Sequence, residues 1–381
     1  MATTPTQDQV RRALSRVIDP ELRRPITDLG MVESVEIADG VVTVGVLLTV
    51  AGCPLKDTIT ADTRREVGAL EGVSGVEVRL GVMTDEQRAG LRARLRGGAA
   101  EPEIPFAKPG SLTRVYAVTS GKGGVGKSSV TANLAAAMAA QGLSVGVVDA
   151  DIYGFSIPRM LGVERVPTQL DGMIVPPVAH GVKVISIGMF VEDGQPVIWR
   201  GPMLHRAVQQ FLSDVFWGDL DVLLLDLPPG TGDVTISVAQ FLPGAEILVV
   251  TTPQTAAAEV AERTGLIAVQ TKQKVVGVIE NMSYLVQPDG SHLEIFGSGG
   301  GLAVSRSLST ALGYEVPLLA RLPLDIALRE GSDRGVPVTV AADGAPATDA
   351  PAALALADVA RRLGRVRRGL SGMKLSISPV G

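Results

Sequence analysis

The chain has 381 residues, 46% of them hydrophobic, and a formal net charge of −5. That length and apolar content support a sizeable core and two domains, and they exclude a disordered chain. A net negative charge argues against an extended nucleic-acid surface, so no nucleic-acid partner is expected.

The start, MATTPTQDQVRRAL, lacks the apolar stretch of a signal peptide, and no apolar run reaches the roughly 18 residues a spanning helix needs. A cytoplasmic location is therefore expected, without a membrane partner. The single cysteine, Cys53, excludes an internal disulfide and any zinc or iron–sulfur site built from several cysteines of one chain.

In chain order, VRRALSRVI (Val10 to Ile18) has helical spacing. MVESVEIADGVVTVGVLLTV (Met31 to Val50) alternates on either side of Asp39-Gly40, a hairpin signal. KDTITADTRREVGAL predicts a helix and VSGVEVRL a third strand, which makes residues 1–95 a small α+β domain. Gly, Ala, Pro and acidic residues then replace the apolar period in RGGAAEPEIPFAKPGS, and residues 96–111 read as a linker. Beyond it RVYAVTS, LSVGVVDAD, VKVISIG, DVLLLDLPP, AEILVVTT and KVVGVIENM alternate with helical stretches. Apolar strands of that kind are covered on both faces, so residues 112–370 are expected to form a doubly wound, mostly parallel α/β sheet, with 371–381 as a tail.

Gly121-Lys122-Gly123-Gly124-Val125-Gly126-Lys127-Ser128, followed by Ser129, fits G-x4-G-K-[ST] between a strand and a helix. Glycines let the backbone wrap a phosphate, and the helix offers its positive end. Lys127 is expected on the β- and γ-phosphates of ATP and Ser128 on Mg²⁺. Asp149 and Asp226 end two apolar strands and are expected to join Ser128 at the metal, while Asp151 orients the attacking water. An aspartate at a strand end also serves as a helix N-cap.

The second lysine in GKGGVGKS resembles the deviant-Walker ATPases, which include MinD, ParA and the nitrogenase iron protein. That resemblance implies a homodimer in which Lys122 reaches across to the partner's nucleotide, placing positive charge on the transition state. DADIYGFSIPRMLG, WRGPMLHRAVQQFLSDVFWGDLDVLLLDLPPGTGD, TTPQTAAAEVAERT, GVIENMSYL and LLARLPLDIALREGSDRGVPV resemble the Mrp/ApbC proteins, ATP-dependent iron–sulfur cluster carriers. The resemblance implies ATP hydrolysis, cluster transfer to apoprotein clients, contact with iron–sulfur assembly proteins, Asn281 at the adenine edge, and Arg321 and Pro323 lining the base pocket.

Asp19-Pro20-Glu21 and LLTVAGCPLKDTI are similar to the metal–sulfur cluster assembly domain often fused in front of Mrp proteins, where a cysteine at the Cys53 position is proposed to help bind a cluster. Before a helix a thiol loses pKa; buried, it is a small apolar side chain. Mrp proteins carry a C-x-x-C shortly after the segment matching Asn281 to Tyr284, where this chain reads NMSYLVQPDGSHLEIFGSGGG. Gln287, Pro288, Asp289 and Gly290 offer no thiolate, and His292, with Asp289 and Glu294, reads as a solvated loop rather than a metal site. The glycine run Gly297 to Gly301 is expected to be a mobile loop.

Two other classes compete. LADVARRLGRVRRGL, with Leu356, Val359, Leu363, Val366 and Leu370 in helical register and Arg361, Arg362, Arg365, Arg367 and Arg368 beside them, suits either a closing helix or the membrane helix of a MinD/ParA-like positioning protein. A small-molecule kinase leaves Lys122 and the first domain unexplained.

Overall fold

The structure is a computed structural model that describes residues 5–20, 22–49, 55–95, 103–108, 110–152, 154–170, 172–190, 201–230, 232–254, 264, 267–341, 343–347 and 349–364. Cys53, Glu21 and the tail 371–381 lie outside the described residues. The chain divides into two compact units. One is 1–103 with 166–178 and 213–218; the other is 104–165, 179–212 and 219–381.

The first unit contains α1 (Gln7–Leu14), β1 (Val32–Ala38), β2 (Val41–Leu48), α2 (Lys56–Gly68), β3 (Gly75–Val82) and α3 (Asp85–Leu95). Thr6 and Gln9 form a capping box that starts α1. Asp39 (φ 48°) and Gly40 (φ 79°) both adopt the left-handed conformation that a two-residue hairpin requires, so β1 and β2 pair antiparallel from Ala38 and Val41 outward. β3 returns parallel to β2. Val42, Val44 and Val46 of β2 alternate onto the core with Val10 and Leu14 of α1 and Ile59 and Val67 of α2. Helix α3 and the segments 166–178 and 213–218 extend this unit beyond the elements expected from the sequence. Leu170 and Met173, in the short hairpin Thr168–Leu170/Met173–Val175, join its core with Val175 and Phe216.

The second unit carries β4 (Arg114–Thr119), α4 (Lys127–Ala140), β5 (Val145–Asp149), β6 (Val182–Ser186), α5 (Gly201–Ser213), β7 (Val222–Asp226), α6 (Asp233–Phe241), β8 (Glu246–Thr251), β9 (Val275–Glu280), α7 (Gly300–Leu312), β10 (Leu318–Arg321), α8 (Ile326–Arg334) and α9 (Pro351–Leu363). The seven strands pair in parallel in the order β10-β9-β8-β4-β7-β5-β6, and the two-residue strand Val178–Ala179 completes the sheet edge. All five residues of β5 and of β7 are buried, which is why those segments read as unbroken apolar runs. The order reverses at β4, which has β7 on one side and β8 on the other. Such a reversal opens a crevice at the carboxyl ends of the strands, where Ser120, Asp149, Asp226 and Thr252 fall.

Helix α9 closes this unit. Leu356, Val359, Ala360 and Leu363 sit in the core with the alanines of α4, and the C-terminal carbonyl of Leu363 accepts hydrogen bonds from Tyr116 Oη (2.9 Å) and Arg114 (3.3 Å). The part of the amphipathic helix within the described residues is therefore committed to packing, which removes its support for a membrane-positioning protein. Val366 and Leu370 lie outside the described residues. No helix among the described residues is long and apolar enough to cross a membrane.

Candidate nucleotide site

The loop between β4 and α4 is shaped by its glycines. Gly124 (φ 77°) and Gly126 (φ 79°) are left-handed, and a Cβ added at Gly123 or Gly124 would stand in open space. Gly126 is the N-cap of α4 with no side-chain cap, so the first-turn N–H groups of a 14-residue helix face a cleft of ≈ 240 Å³. Gly123 to Ser129 line that cleft with Ser120, Asp151, Gly154 and Pro229. An open glycine cradle at an uncapped helix start has the shape and sign of a phosphate site.

Beneath the cradle, Asp226 is fully buried at the end of β7. Its Oδ2 accepts from Lys127 Nζ at 2.7 Å and from Ser128 Oγ at 2.6 Å. Its Oδ1 lies 2.8 Å from the Thr131 hydroxyl, whose single proton is shared with the Lys127 carbonyl at 2.9 Å. Thr131, which the sequence reading missed, stands one turn beyond Lys127 on α4 and belongs to no phosphate-loop pattern. Ser128 Oγ and the Asp226 carboxylate form a hard oxygen pair at the floor of the cleft, a donor set that fits Mg²⁺. Asp151 lines the cleft with its carboxylate 3.8 Å from Lys127 Nζ.

Asp149, expected at the metal, accepts four hydrogen bonds at the end of β5. Its Oδ2 accepts from the backbone N–H of Ser156 (3.1 Å) and Ile157 (3.2 Å) and from Ser186 Oγ (3.2 Å), and its Oδ1 from Asp151 N–H (3.2 Å). It thereby ties Asp151, Ser156 and Ile157 to the end of β5. Burial, and after it the neighbouring Asp226, push its carboxyl up to about 8.

Asn281 supports the loop from the other side. It is 3% exposed, and its Nδ2 donates to the Val125 carbonyl at 2.9 Å, bracing the phosphate loop from the end of β9. A Cβ at Gly126 would collide with that same amide. Arg321 and Pro323 do not line the cleft. Arg321 bonds buried Glu280 (2.9 Å) and Glu294 (3.3 Å) and lies over the Tyr284 ring. The Glu280 bond, above all, raises its pKa. Glu280 meanwhile accepts from Gly301 N–H at 2.6 Å. The end of the run, Gly300 and Gly301, is buried, whereas Gly297 to Gly299 are exposed. Gly299 caps α7, and Gly300 packs where a Cβ would lie 2.6 Å from the backbone of Thr252 and Pro253. The segment in place of C-x-x-C is a short hairpin, Leu285–Val286 with His292–Leu293, whose His292 ring stacks on Tyr284 at 3.9 Å. Among the described residues no group of three or more His, Cys, Asp or Glu side chains could hold a metal ion.

Comparison with known proteins decides the family. Residues 111–361 match the family described as NUBPL iron-transfer P-loop NTPase, and residues 7–80 match an iron–sulfur cluster assembly protein family. The chain belongs to the NUBPL iron-transfer P-loop NTPases. Over 371 residues it is 61% identical to the iron–sulfur cluster carrier protein of Mycobacterium bovis, spanning 97% of this chain and 96% of that protein. The iron–sulfur cluster carrier protein of Synechocystis is 41% identical over 88% of this chain and 92% of its own. A nucleotide-binding protein of Archaeoglobus fulgidus, solved in complex with ADP, is 36% identical with a TM-score of 0.50, over 66% of this chain and 91% of its own. Family membership accounts for the parallel sheet and the phosphate loop of residues 111–361.

Proposed function

We propose that this chain is a homodimeric, ATP-hydrolysing carrier that takes up iron–sulfur clusters and passes them to apoproteins in the cytoplasm, in contact with iron–sulfur assembly proteins. The observation that carries the nucleotide half is the Lys127–Asp226–Ser128 cluster under an open glycine cradle. Lys127 neutralises Asp226 while no phosphate is bound and turns to the β- and γ-phosphates when ATP enters. Ser128 and Asp226 would hold Mg²⁺, which would supply charge neutralisation on the phosphates. Asp151 orients water, Lys122 works across the dimer, and Asn281 keeps the loop in register, with the adenine lying toward Asn281 and the Arg321–Pro323 segment.

The cargo half rests on family membership and on Cys53. One cysteine per chain gives a dimer two thiolates, so a four-thiolate cluster needs its other ligands from elsewhere. Anaerobic reconstitution with iron and sulfide tests this. Wild type is expected to hold at most one cluster per dimer and to transfer it to an apoprotein, and Cys53→Ser to hold none. Equal loading of both would remove Cys53 from the site. No loading of either, with ATP turnover intact, would leave an ATPase without this cargo.

A further inference from the structure

Lys122 is not at liberty in the single chain. Its ammonium donates to Gln254 Oε1, and its own carbonyl is held by Ser120 Oγ at 3.0 Å. Gln254 is the third residue after β8, and the end of that strand is fixed from two sides. The Thr251 carbonyl accepts from Asn281 N–H at 2.8 Å, and Thr252 and Pro253 are buried against Gly300 at the start of α7. The bare Gly300 makes that approach possible. The residues leading into Gln254 are thus anchored, while Gln254 itself is exposed and its amide able to release a ligand.

We propose that Gln254 is a positioning residue that holds Lys122 on its own protomer in the resting state, so that ATP-driven dimerisation must detach the lysine before it can reach the partner's nucleotide. This rests on the trans role proposed above for Lys122. The chemistry suits a reversible hold. A neutral amide oxygen accepts from an ammonium in a single hydrogen bond, whereas a carboxylate there would add charge and hold it longer. The ammonium cannot satisfy Gln254 and a second protomer's phosphate at once, so the strength of this contact sets part of the barrier to turnover.

Steady-state ATP hydrolysis of the full chain, measured against protein concentration, tests the idea. At low concentration Gln254→Ala is expected to raise turnover about two- to fivefold and Gln254→Glu to lower it by a similar factor, the range an exposed pair commands. The KM for ATP stays where it is, since Lys127, Ser128 and Asp226 are untouched. The Gln254→Glu deficit narrows relative to wild type at high salt, a response that a packing defect would lack. Wild-type turnover in both Gln254 variants, with Lys122→Ala inactive, would overturn the hold and leave the trans role standing. Full turnover by Lys122→Ala would remove the trans role and the hold with it.

Discussion

Lys127 is 5% exposed and Asp226 not at all, so each needs the other while the cleft holds no phosphate. Removing one partner of such a pair strands a buried charge. Lys127→Ala is expected to abolish ATP turnover and also to lower stability by about 3–5 kcal/mol in urea unfolding. The double variant Lys127→Met/Asp226→Asn should regain most of that stability with no turnover. Ser128 and Thr131 can still hydrogen-bond an amide at position 226. A double variant as unstable as the single one would show that the loss came from packing rather than from the stranded carboxylate.

At the scale of elements, α7 is placed by what its first residues lack. A methyl at position 300 would lie 2.6 Å from backbone atoms of Thr252 and Pro253, which have no side-chain freedom with which to yield. Gly300→Ala should therefore cost about 1–3 kcal/mol, as overpacking does, whereas Gly244→Ala, with open space around its Cβ, should stay within about 0.5 kcal/mol of wild type. Equal unfolding midpoints would refute the close approach. The same helix shows why some of the site was legible and some was not. The phosphate loop, Asp226 and the Asp39-Gly40 hairpin were readable because motif, strand end and turn chemistry are all local in the chain. Within the glycine run, the packing of Gly300 and Gly301 was not readable, because their partners lie 20 or more residues away, at Glu280 and in the β8 loop. Asp149 presented the strand-end pattern of a metal ligand, and only the fold reveals that the N–H groups of Ser156 and Ile157 turn back onto it. Asn281 was found by likeness to a family, but the carbonyl it braces is 156 residues away along the chain.

At the scale of the whole molecule, the first unit is discontinuous, drawing 166–178 and 213–218 from within the span of the second. Leu170 and Met173 are 1% and 2% exposed, and Val175 and Phe216 are also buried, all in the core that includes Val44, Leu14 and Ile59. Cutting the chain at the apparent linker would separate these side chains from the residues that cover them. A chain beginning at Ile104 should consequently bind a hydrophobic dye such as ANS and self-associate, while the full chain does neither. Replacing the stranded residues in the truncated chain, with Leu170→Ser, Met173→Gln, Val175→Thr and Phe216→Ser, should suppress the dye signal. The same four changes in the full chain should destabilise the first unit, since each large core side chain contributes about 1.5–3 kcal/mol by burial. A truncated chain that stays monomeric and dark to the dye would mean that these segments cover themselves. The two units would then be separable along the sequence at the Pro- and Gly-rich stretch, as composition alone suggests. If the dye lights, any assay of the ATPase half by itself reports on a partly uncovered protein.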